Sequence, residues 1–309
     1  MKTRIILLTL TGLLLCMPAC GREEETKSAG NSIGIEAVNF GDGSREDSSA
    51  DKEENSSIES GSDKEDQPVG QVKISREHFT GEEDTTRNGQ HVQYTYEYDE
   101  LTVEIPWNTE AQEKVQAALE EATDSFLASL QADDFGVVWE GYSGSTYQTL
   151  SADTVRADEK VISILFTNEG YNGGAHGWCN TYYLNFFTET GDIITFDELG
   201  EGFREKAEEL VLKKAQEMQA EEPWFFEDYE KYIPFVVKDG TENAKELYAK
   251  VYGDDNYAGD DRLPASFYIT ETGFGFVSGQ YVMQPYAAGI IEFEIPAEDF
   301  EGVCRKDIF

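Results

Sequence analysis

Two strand-like runs that bracket a glycine-rich segment constrain the fold more than any other feature. Residues 161–166 are apolar, and residues 182–187 are rich in aromatic side chains. Between them lies the segment Tyr171-Asn172-Gly173-Gly174-Ala175-His176-Gly177-Trp178-Cys179. Its three glycines allow positive φ angles and close backbone approach. The arrangement predicts two strands joined by a tight loop, in which His176 bonds its own backbone.

The rest of the chain interleaves strand-like and helix-like patterns. Residues 91–98 alternate with a period of two, which predicts a half-buried strand. Apolar side chains at helical spacing between 115 and 130 predict a long amphipathic helix capped by Asn108 or Thr109. A second apolar stripe, at 203–218, predicts another long helix with Asp197 as its cap.

Shorter patterned segments complete the prediction. Residues 137–142 and 147–150 are typical of strands, and residues 241–252 of a weaker helix capped by Thr241. Four short strands are predicted near the C-terminus, at 267–270, 273–277, 280–283 and 289–295. Strands and helices interleave and the last strands are linked by turns, so we expect the α+β class. The sheet should be mainly antiparallel and packed with two long amphipathic helices.

The first 20 residues predict export. A basic start is followed by an apolar stretch of about eleven residues, 5–15, which is too short to span a membrane. The small residue Ala19 before Cys20 resembles a bacterial lipobox. The resemblance implies a signal peptide at 1–19 and a lipid with palmitate-type chains on Cys20, at the extracytoplasmic face of the cytoplasmic membrane. An ordinary secretory signal is the alternative.

Acidic residues dominate the remainder of the 309-residue chain. Residues 20–70 lack the apolar content of a core and are expected to be a disordered tether. Residues 71–309 carry 48 acidic and 17 basic side chains, a net charge of −31. Such a surface repels nucleic acid and attracts cationic proteins or metal ions, although solubility alone is a sufficient reason for it.

Cys179 and Cys304 lie in a chain that is expected to meet oxidising conditions. A disulfide between them is one interpretation, and two separate buried thiols are the other. We predict no Cys/His metal site, because the sequence has no C-x-x-C pair and only His176 lies near either thiol. No metal and no cofactor are expected. The acidic segment 254–261 begins like a calcium loop but lacks the final bidentate glutamate, Ala265 standing at that position.

Two segments together resemble the PdaC/RsiV-like superfamily. One is Tyr171 to Gly177, and the other is Gln284-Pro285-Tyr286-Ala287-Ala288-Gly289. The resemblance implies a cell-envelope binding domain in two consecutive parts, a PdaC-like part at 71–178 and an RsiV-like part at 179–309. Members include the extracellular part of a lysozyme-sensing anti-sigma factor and the non-catalytic region of a peptidoglycan deacetylase.

Three functional hypotheses follow. The first is a lipid-anchored, non-enzymatic envelope protein that binds a cationic protein such as lysozyme. The second is a peptidoglycan- or glycan-binding module, and the third is a hydrolase using His176. The candidate ligand-facing residues are Tyr171, His176, Trp178 and Tyr286, each of which has structural packing as its alternative role. An aromatic cluster among acids at 222–229 has the same two interpretations, a partner-binding surface or a hydrophobic contact between helices.

Overall fold

A five-stranded sheet forms the larger β layer of the protein. In the computed structural model, residues 70–87, 89–131, 146–253 and 262–309 are described. The strands follow in chain order across the sheet: β1 (Lys73–Arg87), β2 (Gln90–Glu104), β3 (Thr146–Ala157), β4 (Val161–Tyr171) and β5 (Trp178–Phe187). Neighbours are antiparallel except for β2 and β3, which run parallel. The predicted α+β class with a mainly antiparallel sheet is confirmed.

One long helix covers a face of this sheet. α1 (Thr109–Leu130) begins at Asn108, whose side chain accepts a hydrogen bond from the backbone N–H of Ala111 at 3.1 Å. Its apolar stripe is buried and includes Val115, Leu119 and Phe126. The helix forms where the periodicity predicts it, because burial of that stripe on the sheet adds to the favourable cap.

The next helices begin at other residues than predicted. α2 (Phe196–Leu199) is one turn long, with Thr195 in a capping box with Glu198, so Asp197 is not the cap. Residues 200–202 separate α2 from α3 (Phe203–Glu221). α4 (Ile233–Val236) and α5 (Ala244–Tyr252) follow. The side chain of Asn243, not that of Thr241, caps α5, since the Thr241 hydroxyl donates to Asp239 instead.

A smaller antiparallel sheet follows the helices. It contains β6 (Phe267–Ile269), β7 (Gly273–Ser278) and β8 (Ile291–Pro296) in that order. It contacts β5 through two rings, Tyr183 and Tyr268, 5.1 Å apart. The predicted strand at 280–283 is wrong: these residues form a turn, in which Tyr281 has a φ of 62°.

The described residues form two large hydrophobic cores. The first lies between α1 and the five-stranded sheet, and the second joins α2, α3 and α4 to the small sheet. β5 contributes to both, through Phe186 to the first and Phe187 to the second. Of the aromatic cluster at 222–229, Phe225 and Tyr229 are buried in the second core, whereas Trp224 is exposed.

Several sequence predictions lie outside the described residues. These are the signal peptide, nearly all of the tether, the strand at 137–142 and the acidic segment at 254–261. In the part of the chain that the structure describes, no helix is long and apolar enough to cross a membrane.

Candidate functional site

The glycine-rich segment forms the loop of the β4–β5 hairpin. Residues 172–177 connect the two strands, as the sequence predicted. The hydroxyl of Tyr171 donates to the carbonyl of Gly174 at 2.8 Å and accepts from its N–H at 3.2 Å. Gly173 and Gly174 have φ angles of 79° and 149°, which side-chain-bearing residues rarely adopt. These contacts fold the loop back onto the end of β4.

His176 lies in an exposed group of aromatic rings. Its Nδ1 is 2.8 Å from the carbonyl oxygen of Gly177, and its Nε2 is 2.9 Å from the hydroxyl of Tyr281. Because the carbonyl can only accept, we assign the proton to Nδ1, and the Tyr281 hydroxyl donates to Nε2. The ring stacks on Tyr286 with centroids 3.8 Å apart. We call His176, Tyr281 and Tyr286 the His176 cluster.

Tyr281 carries backbone strain. Its φ of 62° is in the left-handed region, which costs a residue with a side chain roughly 1–2 kcal/mol. Its ring is 47% exposed, and contacts with His176 and Tyr286 hold it in place. Strained residues of this kind often mark functional sites. Tyr281 was not predicted as a site residue, because residues 280–283 were interpreted as a strand.

Two glutamine side chains order the second signature segment and join it to this hairpin. Gln284 is fully buried, and its side chain bonds Ser278 and the backbone of Gly279 and Gly289. Gln280 accepts a hydrogen bond from the backbone N–H of Cys179 at 3.1 Å. The fold therefore brings together two segments that are about 100 residues apart in sequence.

The ring of Trp178 lies over Gly170, its register partner on β4, at the base of the hairpin. A Cβ placed on Gly170 would be 2.8 Å from the Trp178 ring, so the close contact requires glycine at that position. Within the described residues, the indole Nε1 has no hydrogen-bond partner, and neither do Oε1 of Gln148 and Oδ1 of Asn172. All three atoms are buried. Of the four predicted ligand-facing residues, His176 and Tyr286 touch one another, while Tyr171 and Trp178 flank their loop.

The disulfide allowed by the sequence is not formed, and both thiols are free. Cys179 lies at the start of β5, whereas Arg305, next to Cys304, stacks on Phe187 at the end of that strand. Eight residues of strand span roughly 26 Å, far beyond the Cα separation that a disulfide bridges. Burial raises the pKa of both thiols, that of Cys304 to about 11.

An acidic cleft of about 620 Å³ lies along α3, beside α5 and the 3₁₀ turn Tyr229–Tyr232. Its charged lining residues are Glu205, Glu208, Glu209, Glu230, Lys231 and Lys250, and its apolar ones are Leu212, Ile233, Pro234 and Val251. Burial raises the pKa of Glu208. The positive charges of Lys250 and Arg204 oppose this rise, and neighbouring carboxylates add to it. Sequence reasoning missed this cleft, although Glu205, Glu208 and Glu209 have the spacing of one helix face.

Potential metal ligands are dispersed over the described part of the molecule. Among the residues 70–87, 89–131, 146–253 and 262–309, no group of three or more His, Cys, Asp or Glu side chains is placed to hold a metal ion. The charged side chains of the acidic cleft therefore provide general electrostatic attraction, without the geometry of a metal site.

One protein-family model matches part of the second half of the chain. Residues 185–298 match the model described as "Protein of unknown function (DUF3298)". This segment contains β6 to β8, the acidic cleft, Tyr281 and Tyr286, and excludes His176. No curated protein matches the chain.

Two solved structures of DUF3298 proteins are similar to this chain. One, from Pseudomonas aeruginosa PAO1, has 14% identity and a TM-score of 0.51, covering 78% of this chain and 98% of that one. The other, from Bacteroides fragilis NCTC 9343, has 13% identity and a TM-score of 0.47, with 75% and 94% covered. The first likeness extends the shared fold beyond the DUF3298 match, at a level of identity that carries no functional information.

Proposed function

We propose that this chain is a non-catalytic binding domain of the bacterial cell envelope, with a cationic protein as its partner. A lipid on Cys20 would hold it at the outer face of the cytoplasmic membrane. The acidic cleft carries the proposal, and the net charge of −31 for residues 71–309 supports it. A field of this sign steers cationic partners to the surface and raises their association rate.

The lining of the acidic cleft suits lysine and arginine side chains. Such side chains bury an aliphatic stem while their charged end remains in polar surroundings. Leu212 and Ile233 offer apolar contacts for the stem, and Glu208 offers a carboxylate for the charge. Because burial raises the pKa of Glu208, a cation that enters the cleft favours its ionised form. Binding should therefore strengthen as the pH rises through the raised pKa of Glu208.

The proposal assigns no chemical step to His176. In the described structure both ring nitrogens are engaged, one with Gly177 and the other with Tyr281. A general base must lie within hydrogen-bond reach of the proton it abstracts, and the proton that faces Nε2 belongs to the hydroxyl of Tyr281. The arrangement thus favours a role in positioning the loop over the hydrolase hypothesis.

We also propose that the chain belongs to the wider PdaC/RsiV-like superfamily. Two observations support this: the DUF3298 match at 185–298 and the contact between the two signature segments, in which His176 stacks on Tyr286. The division at 178/179 into two consecutive subdomains stays a prediction. The two large cores support it, and β5, which begins at Trp178, contributes to both of them.

Binding to lysozyme, a basic protein, tests the proposed partner class. The full chain is titrated with lysozyme by calorimetry at several salt concentrations, and we expect saturable binding that weakens as salt rises. Glu208→Gln should weaken it about tenfold, the effect of losing one ionic contact worth about 1.4 kcal/mol. Glu121→Gln is the matched control, because burial also raises the pKa of Glu121, which lies on α1 outside the acidic cleft.

Three outcomes would contradict the proposal. Binding could be undetectable even at low salt, which would remove the cationic partner. The affinity could also be independent of salt, which would remove the electrostatic reason for it. Equal losses in Glu208→Gln and Glu121→Gln would show that the acidic cleft is not the binding surface.

A further inference from the structure

Three unpaired polar atoms lie at the base of the β4–β5 hairpin. They are Oε1 of Gln148, Oδ1 of Asn172 and Nε1 of Trp178, and each lacks a hydrogen-bond partner within the described residues. Gln148 is 1% exposed. Buried polar side-chain atoms in native proteins are nearly always paired, because an unpaired one has lost its water without compensation. A group of three at one end of one hairpin therefore requires an explanation.

Two of these atoms belong to the same row of the sheet. Gln148, Gly170 and Trp178 are register partners on the adjacent strands β3, β4 and β5. Register partners direct their side chains to the same face. Since Gly170 has no side chain, the indole of Trp178 lies across it. Asn172 begins the hairpin loop two residues after Gly170.

The chemistry of these atoms defines a ligand. The indole N–H can only donate, whereas the oxygens of Gln148 and Asn172 can only accept. A matching ligand carries one acceptor and two donors close together. An acetamido group with a neighbouring hydroxyl supplies these, since its carbonyl accepts and its N–H and the hydroxyl donate. A carboxylate would lack the donors and would be repelled by the acidic protein.

Aromatic rings surround the same hairpin. Tyr147 and Tyr281 are 41% and 47% exposed, and Tyr281 contacts His176 and Tyr286. The hydroxyl of Tyr147 would be 3.9 Å from a Cβ on Gly177, which places Tyr147 beside the loop. Successive side chains of a strand point to opposite faces, so Tyr147 lies on the other face of β3 from Gln148. These rings therefore border the loop, and the three unpaired polar atoms alone define the ligand.

We propose that the base of the β4–β5 hairpin binds a neutral sugar that carries an acetamido group. In the closed structure the three polar atoms have no contact with solvent, so the sugar enters when residues 172–177 move. The positive φ angles of Gly173 and Gly174 mark the positions at which the backbone can change direction. This site is separate from the acidic cleft and does not depend on a cationic partner.

Indole signals in the ¹⁵N–¹H spectrum of the labelled full chain test the proposal. The probe is a tetramer of N-acetylglucosamine, added in about 0.5 M NaCl so that charge-driven binding is screened. We expect the indole N–H of Trp178 to shift in a saturable way, while those of Trp107 and Trp224 stay in place. Maltotetraose, which has hydroxyls and no acetamido group, should bind about tenfold more weakly.

Two conservative variants separate binding from packing. Trp178→Phe keeps an aromatic ring over Gly170 and removes the N–H, and we expect about tenfold weaker binding of the N-acetylglucosamine tetramer. Trp107→Phe makes the same change at an exposed position before α1 and should bind as the unaltered chain does. Asn172→Ala, in the loop, provides a second variant if Trp178→Phe fails to fold.

Several results would overturn the inference. If the Trp178 signal does not respond to the N-acetylglucosamine tetramer, or responds together with Trp107 and Trp224, the hairpin base is not the site. Equal affinity for maltotetraose would remove the acetamido group from the assignment. Unchanged affinity in Trp178→Phe, or in Asn172→Ala where that variant replaces it, would show that the unpaired atoms make no contact with the ligand.

Discussion

The two ends of the β4–β5 pair differ in whether their buried polar groups have hydrogen-bond partners. At the hairpin end, Oε1 of Gln148, Oδ1 of Asn172 and Nε1 of Trp178 are buried without partners among the described residues. At the other end, Arg156 donates to Asp158 at 2.6 Å and to the carbonyl of Ile308 at 2.7 Å. Asp158 also accepts from the backbone N–H groups of residues 160 and 161.

This difference separates a structural end from a candidate binding end. The Arg156 end joins the sheet to the C-terminal residues with bonds that satisfy both partners, which is what a permanent contact requires. The hairpin end carries unpaired atoms and the strained Tyr281, both of which oppose folding in the closed state. Natural proteins retain such costs mainly where another requirement, such as binding, opposes the optimisation of stability.

The largest effect should come from removing the buried cation at the structural end. Arg156→Met leaves Asp158 and the carbonyl groups of Thr270 and Ile308 without their donor. Breaking a buried, hydrogen-bonded ion pair in this way should lower the free energy of unfolding by about 3–5 kcal/mol, measured by urea denaturation. Lys306→Met is the control, because its pair with Glu301 is exposed and should change stability by less than about 1 kcal/mol. Similar losses of unfolding free energy in Arg156→Met and Lys306→Met would contradict the structural role of the Arg156 end.

A smaller loss is expected at the hairpin end when Gly170 gains a side chain. In Gly170→Ala the new Cβ would lie 2.7 Å from the Tyr147 carbonyl oxygen and 2.8 Å from the Trp178 ring. Relief of these contacts should cost about 1–3 kcal/mol and displace the indole. Thermal unfolding gives the stability, and tryptophan fluorescence reports the displacement. A variant with unaltered stability and fluorescence would show that the hairpin end tolerates changes freely.

The pH dependence of stability distinguishes the two ends further. Burial acts to raise the pKa of Asp158, but hydrogen bonds from Arg156 and the backbone outweigh it and lower the pKa. The stabilisation is therefore present above the ordinary aspartate pKa of about 3.9 and is lost as the pH falls through the lowered value. Asp158→Asn should flatten this acid-side decline in urea midpoints. An unchanged pH profile would contradict the assignment.

The smallest effect is expected from the hydroxyl of Tyr281. Tyr281→Phe removes the hydrogen bond to Nε2 of His176 and keeps the ring. Because the bond is exposed, stability should fall by less than about 1 kcal/mol. The ¹⁵N chemical shift of Nε2 in labelled His176 should change when the donor is lost. If that shift stays the same, the hydroxyl does not bond the imidazole in solution.

Local patterns predicted the secondary structure where the periodicity was strong. The apolar stripe of α1 and its Asn108 cap came directly from spacing, because helix burial and capping depend on residues within a few turns. The glycine-rich loop was likewise correctly expected to join two strands. β1 had no such signal: as an edge strand its side chains are mostly exposed, so little alternation marks it.

Features that depend on distant contacts were not predictable. The positive φ of Tyr281 exists because rings from two separate segments hold it. Sequence spacing left a disulfide and two separate thiols as alternatives for Cys179 and Cys304. The structure has two free thiols, which β5 holds apart. The unpaired atoms at the hairpin base arise from the register of β3, β4 and β5. Register is a property of the assembled sheet.

Amide hydrogen exchange along β5 tests the contrast between its ends most directly. The structure predicts that hydrogen-bonded amides near Trp178 and Cys179 exchange through local opening, much faster than those near Phe186 and Phe187. Amides at the Arg156 end should exchange only with global unfolding. The N-acetylglucosamine tetramer should slow exchange at the hairpin end alone. Equal exchange rates at both ends, with or without the tetramer, would contradict the account.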